Sequence, residues 1–240
     1  MRQLTLLILL TLTLLSYDVP SSFKNYKKYS IDSNKDIIDI YLSPKLNESA
    51  KTIKNKYIDF VVGEDSKYAL QIKIKNQIIK ISLSQGQGGP AFGAFFRFGK
   101  LDNYIPIYSD EKIFISEHGF IYSINRMNDI YTTYKKYKLL KGKIREIKQP
   151  FYKILRECKT SALTKIYSQK HQKGHLIASI PKGEMVKVLL ADISEARGRK
   201  TEEREYLVET SFGLVGWVTS KAGYNPLIGK PLSCLIFDGD

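Results

Sequence analysis

The sequence predicts an all-β protein. Three observations carry the prediction. Apolar residues recur in short alternating runs separated by Gly, Pro, Asn and Ser turn signals, as in ILE-rich QIKIK and IIKISLS. No stretch sustains an apolar period of about 3.6 residues. The 240 residues include 16 Tyr, with abundant Ile and Thr, side chains that suit a pleated, half-buried surface.

The chain opens with MRQLTLLILLTLTLLS. Arg2 is a short positive region and Leu4–Leu15 an apolar one, too short for a span that needs about 20 apolar residues. Residues 1–16 therefore read as a secretory signal peptide. No later segment is apolar enough to cross a bilayer, so no transmembrane span is expected after signal removal. Residues 17–36 are polar, dotted with aromatics and poorly periodic, and read as a linker.

Residues 37–86 form the first expected β domain. Its runs are IIDIYLS, YIDFVV, YALQIKIK and IIKISLS. Ile72 and Ile74 fall on one face with lysines on the other, and Ile79, Ile81 and Leu83 continue the alternation. QGQGGP forbids regular structure, and the stretch after it packs four Phe between Phe92 and Phe98. Residues 91–157 then read as a β-meander. Gly119 supplies one hairpin turn, Lys141-Gly142 a second, and FYKILREC follows Pro150.

The pattern is clearest in residues 158–240. ALTKIYSQ is a short strand and KHQKGH a polar loop. LIASI reaches a Pro181-Lys182-Gly183 turn, after which Val186 and Val188 alternate. Asp192 to Glu205 is a long charged hairpin tip. YLVETSFGLVGWV is a hairpin turning at Ser211-Phe212-Gly213. Short strands with turns at these places specify a small closed or half-open β-barrel. Residues 37–86 can be laid over this region, Tyr41 on Tyr167, which makes them a candidate degenerate second copy.

The C-terminal residues resemble the bacterial Src-homology-3 (SH3b) domains of cell-envelope proteins. The resemblance rests on IPKGEMVKVLL, on YLVETSFGLVGWV and on their spacing, and covers Leu163 to about Ala222. It departs from the family at IYSQKHQKGH, which lacks the usual Arg-Ser-Gly-Pro type turn, and at Tyr206, where Trp is common. It implies that Trp217 helps close a barrel, its edge reaching a groove shared with Tyr167 and Tyr206. Gly216, lacking a Cβ, would let a neighbouring backbone approach.

The chain's two cysteines, Cys158 and Cys234, taken alone read as a disulfide or as two unrelated thiols. The resemblance favours a disulfide, because the first and last strands of such barrels lie side by side.

The formal net charge is +14, from 38 Lys+Arg against 24 Asp+Glu. It is scattered, without a long basic block, and accompanies the Lys, Ile, Asn and Tyr that A/T-rich codons supply, so no nucleic-acid partner is expected.

Motifs for chemistry are missing from the sequence. His171 and His175 are four apart in a loop, and His118 sits in a turn, so no metal or other cofactor is expected. No nucleophile motif accompanies Cys158, and GxSxG is absent. The expected protein is a non-enzymatic, exported envelope protein, periplasmic or secreted. Its C-terminal domain would bind a peptide, a cell-wall fragment such as peptidoglycan, or an envelope protein. Two alternatives stand beside it: an interaction subunit of an envelope assembly, using an apolar patch around Phe92–Phe98, and a hydrolase with the C-terminal domain as its targeting module.

Overall fold

The computed structural model describes residues 19–33, 36–54, 68–74, 76–85, 92–98, 104–108, 112–126, 130–140, 142–193, 203–221 and 231–236. The expected signal peptide, the YIDFVV run and most of the charged tip after Asp192 lie outside them. The fold is all-β, and among the described residues its helical elements are a 3-10 turn at Ser21–Phe23 and the four-residue α1 (Pro44–Asn47).

The first eleven strands are β1 (Lys27–Ser33), β2 (Asp36–Leu42), β3 (Lys51–Lys54), β4 (Tyr68–Ile74), β5 (Gln77–Gln85), β6 (Phe92–Phe98), β7 (Tyr104–Tyr108), β8 (Lys112–Ile115), β9 (Phe120–Asn125), β10 (Thr133–Leu140) and β11 (Lys143–Glu146). They build two sheets, β1-β2-β8-β9-β10-β11 and β3-β4-β5-β6-β7. All neighbours are antiparallel except β2 and β8, which pair in parallel, Ile40 opposite Ile113. A parallel pair needs a long crossover. Here the whole five-stranded sheet lies in sequence between β2 and β8 and supplies it.

The two sheets share one core. Ile38, Ile40 and Leu42 of β2 and Ile113 and Ile115 of β8 meet Leu70, Ile72, Ile74, Ile79, Ile81, Phe96 and Ile107 of the second sheet. The lysine between two of these, Lys73, is exposed, as the alternation in QIKIK requires. Phe96, from the stretch expected to form an exposed patch, is 1% exposed and belongs to this core.

Three boundaries differ from the sequence reading. Residues 17–36 are not a linker throughout, because β1 pairs with β2 along its full length, from Lys27 opposite Leu42 to Ser33 opposite Asp36. The preceding arm packs on the outer face of the same sheet. There Phe23 stacks on Phe114 at 4.4 Å and Tyr41 on Phe114 from the same sheet face at 4.8 Å. Residues 37–86 do not repeat the C-terminal unit, since β2 lies in one sheet and β3, β4 and β5 in the other. Finally, the last strand assigned to the meander, after Pro150, belongs to the C-terminal unit.

That unit contains β12 (Phe151–Lys159), β13 (Thr164–Tyr167), β14 (Leu176–Ile180), β15 (Met185–Asp192), β16 (Glu203–Thr210) and β17 (Val215–Lys221). They form one sheet in the order β12-β15-β16-β17-β13-β14. Among the described residues the sheet is not closed, with β12 and β14 as its edges, so of the closed or half-open barrel expected the closed form is not seen. A bulge bends β12 between Lys153 and Arg156, with Leu155 in the left-handed region at φ 51°. Gly183 and Gly213 turn the hairpins at φ 95° and 89°, conformations that glycine adopts without strain.

The inner face of the sheet carries Tyr152, Cys158, Ile166, Val186, Val188, Tyr206, Val208 and Val218. Ile130 and Tyr131, within the stretch read from sequence as a β-meander, instead join this second core. Arg204 Nη1 donates to the Tyr131 hydroxyl at 2.8 Å, tying the β9–β10 connection to β16.

One phenol in the N-terminal unit has an alkaline consequence. Burial pushes Tyr137 up to about 12, and the charge of nearby Glu146 acts in the same direction. Its folded value lies above the ordinary value near 10. The stabilisation from keeping it neutral is therefore complete below about pH 10 and lost as pH rises toward 12. Tyrosinate absorbance followed through an alkaline titration should show a phenol ionising near pH 12 that a Tyr137→Phe variant lacks.

Candidate functional site

Alternation along the C-terminal strands decides which side chains leave the core. In β17, Gly216, Val218 and Ser220 are buried, so Val215, Trp217 and Thr219 lie on the opposite face. In β13, Ile166 is fully buried, and Tyr167 therefore shares the face of Trp217, its direct partner in the register. In β16, Tyr206 is fully buried, whereas Glu205 pairs with Thr219 and Leu207 with Trp217.

The structure thus brings together two of the three residues expected to line a groove. Tyr167 and Trp217 are adjacent and half-buried on the outer face. Tyr206 points into the core and cannot touch a ligand without unfolding the sheet. Trp217 is not a core residue, because Val218, its neighbour, takes that position.

Gly216 makes the pairing of β13 with β17 possible. A Cβ built there would lie 2.6 Å from Ile166 Cγ2, 2.7 Å from the Tyr167 carbonyl oxygen and 2.8 Å from Ile177 Cδ1. The close approach expected from the sequence is present, and it sets Tyr167 beside Trp217.

The loop joining β13 to β14, residues 168–175, folds over the same face. Its inner hydrogen bonds run from Ser168 N to the His175 carbonyl at 3.0 Å and from Gln169 N to the Lys173 carbonyl at 3.2 Å. Residues 171–176 are all exposed, while Lys170 turns inward. Its ammonium lies 5.0 Å from the Trp217 ring centroid and 5.1 Å from that of Phe151. The two rings are 6.2 Å apart. The same ammonium pairs with the carboxylate of Asp192, whose side chain is only 4% exposed. Two aromatic faces and a buried carboxylate around one ammonium form a cation cage, and each such ring contact is worth about 0.5–2 kcal/mol depending on how dry it is.

Beside the cage lies a second buried carboxylate. Glu205 is 6% exposed. Thr219 donates its hydroxyl to Oε1 at 2.6 Å, and His171 Nδ1 stands 3.6 Å from the same oxygen. The other oxygen, Oε2, is buried and meets no hydrogen-bond donor among the described residues. The loop carrying Lys170 and His171 is itself strained, with His171 at φ 59° and Gln172 at φ 57°. A non-glycine residue there costs about 1–2 kcal/mol.

Phe151, Lys170, Asp192, Glu205 and Thr219 were not singled out in the sequence. Asp192 and Glu205 bounded a stretch read as one charged tip, whereas both lie inside strands. The signal that could have found Glu205 is its register with Thr219, two residues past the Trp, which only the paired hairpin reveals.

Cys158 and Cys234 form a disulfide, S–S 2.06 Å. It ties β12 to the segment 231–236, whose Leu232 and Leu235 are buried in the C-terminal core. Among the described residues no group of three or more His, Cys, Asp or Glu is placed to hold a metal ion. No helix there is long and apolar enough to cross a membrane. The disulfide is compatible with export to an oxidising compartment.

No protein-family model, curated protein or solved structure matches this chain.

Proposed function

We propose that the protein is a non-enzymatic, exported envelope protein whose SH3b-like C-terminal unit binds a peptide or cell-wall fragment across the face of Tyr167 and Trp217. The observation that supports this reading most is the composition of that face. It carries half-buried aromatics beside two buried carboxylates, Asp192 and Glu205, outside the core and away from the disulfide. Polar groups at the edge of an aromatic surface are what a binding site uses to fix a ligand's orientation. The disulfide and the expected signal peptide support export.

Several shifted groups in the N-terminal unit have structural causes. Tyr26 and Tyr41 are raised chiefly by burial, and Glu117 is lowered first by its hydrogen bond with Ser43.

Co-sedimentation with purified peptidoglycan tests the proposal. Wild-type protein should pellet with the wall, and Tyr167→Ala and Trp217→Ala variants with unchanged circular dichroism should stay in the supernatant. Equal pelleting by all three would remove the Tyr167–Trp217 face from the account.

A further inference from the structure

We propose that Phe151, Trp217 and Asp192 form a recognition cage for an alkylammonium group of the ligand, and that Lys170 fills this cage in the unliganded chain. The inference rests on the binding-face reading above and names the chemistry recognised there.

Three observations carry it. The cage already holds an ammonium at 5.0 and 5.1 Å from two ring centroids and against a carboxylate 4% exposed, so a primary ammonium fits it. That occupant arrives on an exposed loop rather than from the core, and the contacts of Lys170 and the His171–Glu205 approach at 3.6 Å bring the loop against the sheet face. The loop is closed internally by its own backbone hydrogen bonds, so it can leave the face as a unit without breaking the sheet.

Displacement is then an exchange of one ammonium for another. The incoming group takes the ring faces and the Asp192 carboxylate while Lys170 returns to water. Because Lys170 is tethered, it competes at an effective concentration of about a millimolar or more, which weakens every external ammonium. Removing Lys170 should therefore strengthen binding, the opposite of what loss of a simple contact residue would do.

The single Trp makes the test direct, since Trp217 is a wall of the cage. Its emission is followed while n-butylammonium is added at constant ionic strength, with n-butanol as the neutral control. In Lys170→Ala the response should saturate with n-butylammonium and not with n-butanol. Wild type should need at least tenfold more, and Lys170→Ala/Asp192→Asn should give no saturation. Lys170→Met keeps the aliphatic stem over the rings and provides a second background should the alanine variant fold poorly. No saturable response in a folded Lys170→Ala or Lys170→Met chain overturns the cage.

Peptidoglycan with its free amines acetylated separates this proposal from the reading beneath it. Loss of co-sedimentation on acetylation supports the cage and places the ammonium on the wall. Saturable butylammonium binding without any wall binding supports the cage and removes the wall, leaving a peptide amine as its ligand. Wall binding that is indifferent to acetylation, with no butylammonium response, keeps the binding face and overturns the cage.

Discussion

Replacing both Cys158 and Cys234 by serine should destabilise the C-terminal unit by about 4 kcal/mol, the chain-entropy value for a cross-link of this span. The cysteines are 76 residues apart in sequence, and the enclosed loop contains nearly the whole C-terminal sheet. Opening the bond leaves segment 231–236 held by weaker ties. These include the Thr160–Leu232 bridge, the Ser161 N to Pro231 carbonyl bond at 2.8 Å, the Ser233 N to Lys159 carbonyl bond at 3.1 Å and the burial of Leu232 and Leu235. Urea unfolding followed by Trp217 emission isolates the effect, because the chain's one Trp lies in this unit. The midpoint should fall steeply in the double variant and in reduced wild type alike. A loss below about 1 kcal/mol would mean that the segment contributes little to the fold.

Gly216→Ala should cost about 3 kcal/mol, the upper part of the range for overpacking a filled site. One of the three atoms that the new methyl would meet is the Tyr167 carbonyl oxygen, 2.7 Å away, and backbone cannot rotate aside. The strands β13 and β17 must separate to admit it. The same movement carries Tyr167 away from Trp217, so ligand binding should fall with stability. Val215→Ala, one residue earlier on the exposed face, is the control and should stay within about 0.5 kcal/mol of wild type. Urea midpoints of the two variants measured side by side check both statements. A Gly216→Ala protein as stable as wild type would mean that β13 and β17 lie farther apart than described.

The sequence made the strands legible wherever one face is dry and the other wet. Ile72 and Ile74, Val186 and Val188, and the Gly119 and Gly213 turns all stand where alternation and turn chemistry put them. Partner choice was not legible. The parallel pairing of β2 with β8 depends on a sheet made from the residues between them, and period-two alternation looks the same for either partner. β12 reads equally well as the last strand of one unit or the first of the next. The site was half visible. Gly216 and Trp217 announce a close strand pair, and Tyr167 follows from register. Tyr206 was misplaced because adjacent strand residues point to opposite faces, and only the observed pairing shows which face is dry. Lys170 could not be found from sequence, since nothing in SQKHQKGH marks which of its basic side chains turns inward.

The most direct measurement of the central claim is the salt dependence of peptidoglycan co-sedimentation, from low ionic strength to about 0.5 M, where exposed charges are largely screened. A specific face built on Tyr167 and Trp217 predicts binding that survives about 0.5 M salt in wild type, where the screening length is about half its physiological value, and is lost in the folded Trp217→Ala variant. Binding that disappears with salt and ignores the variant would contradict it, and would leave the scattered charge of +14 as the sole attraction to the wall.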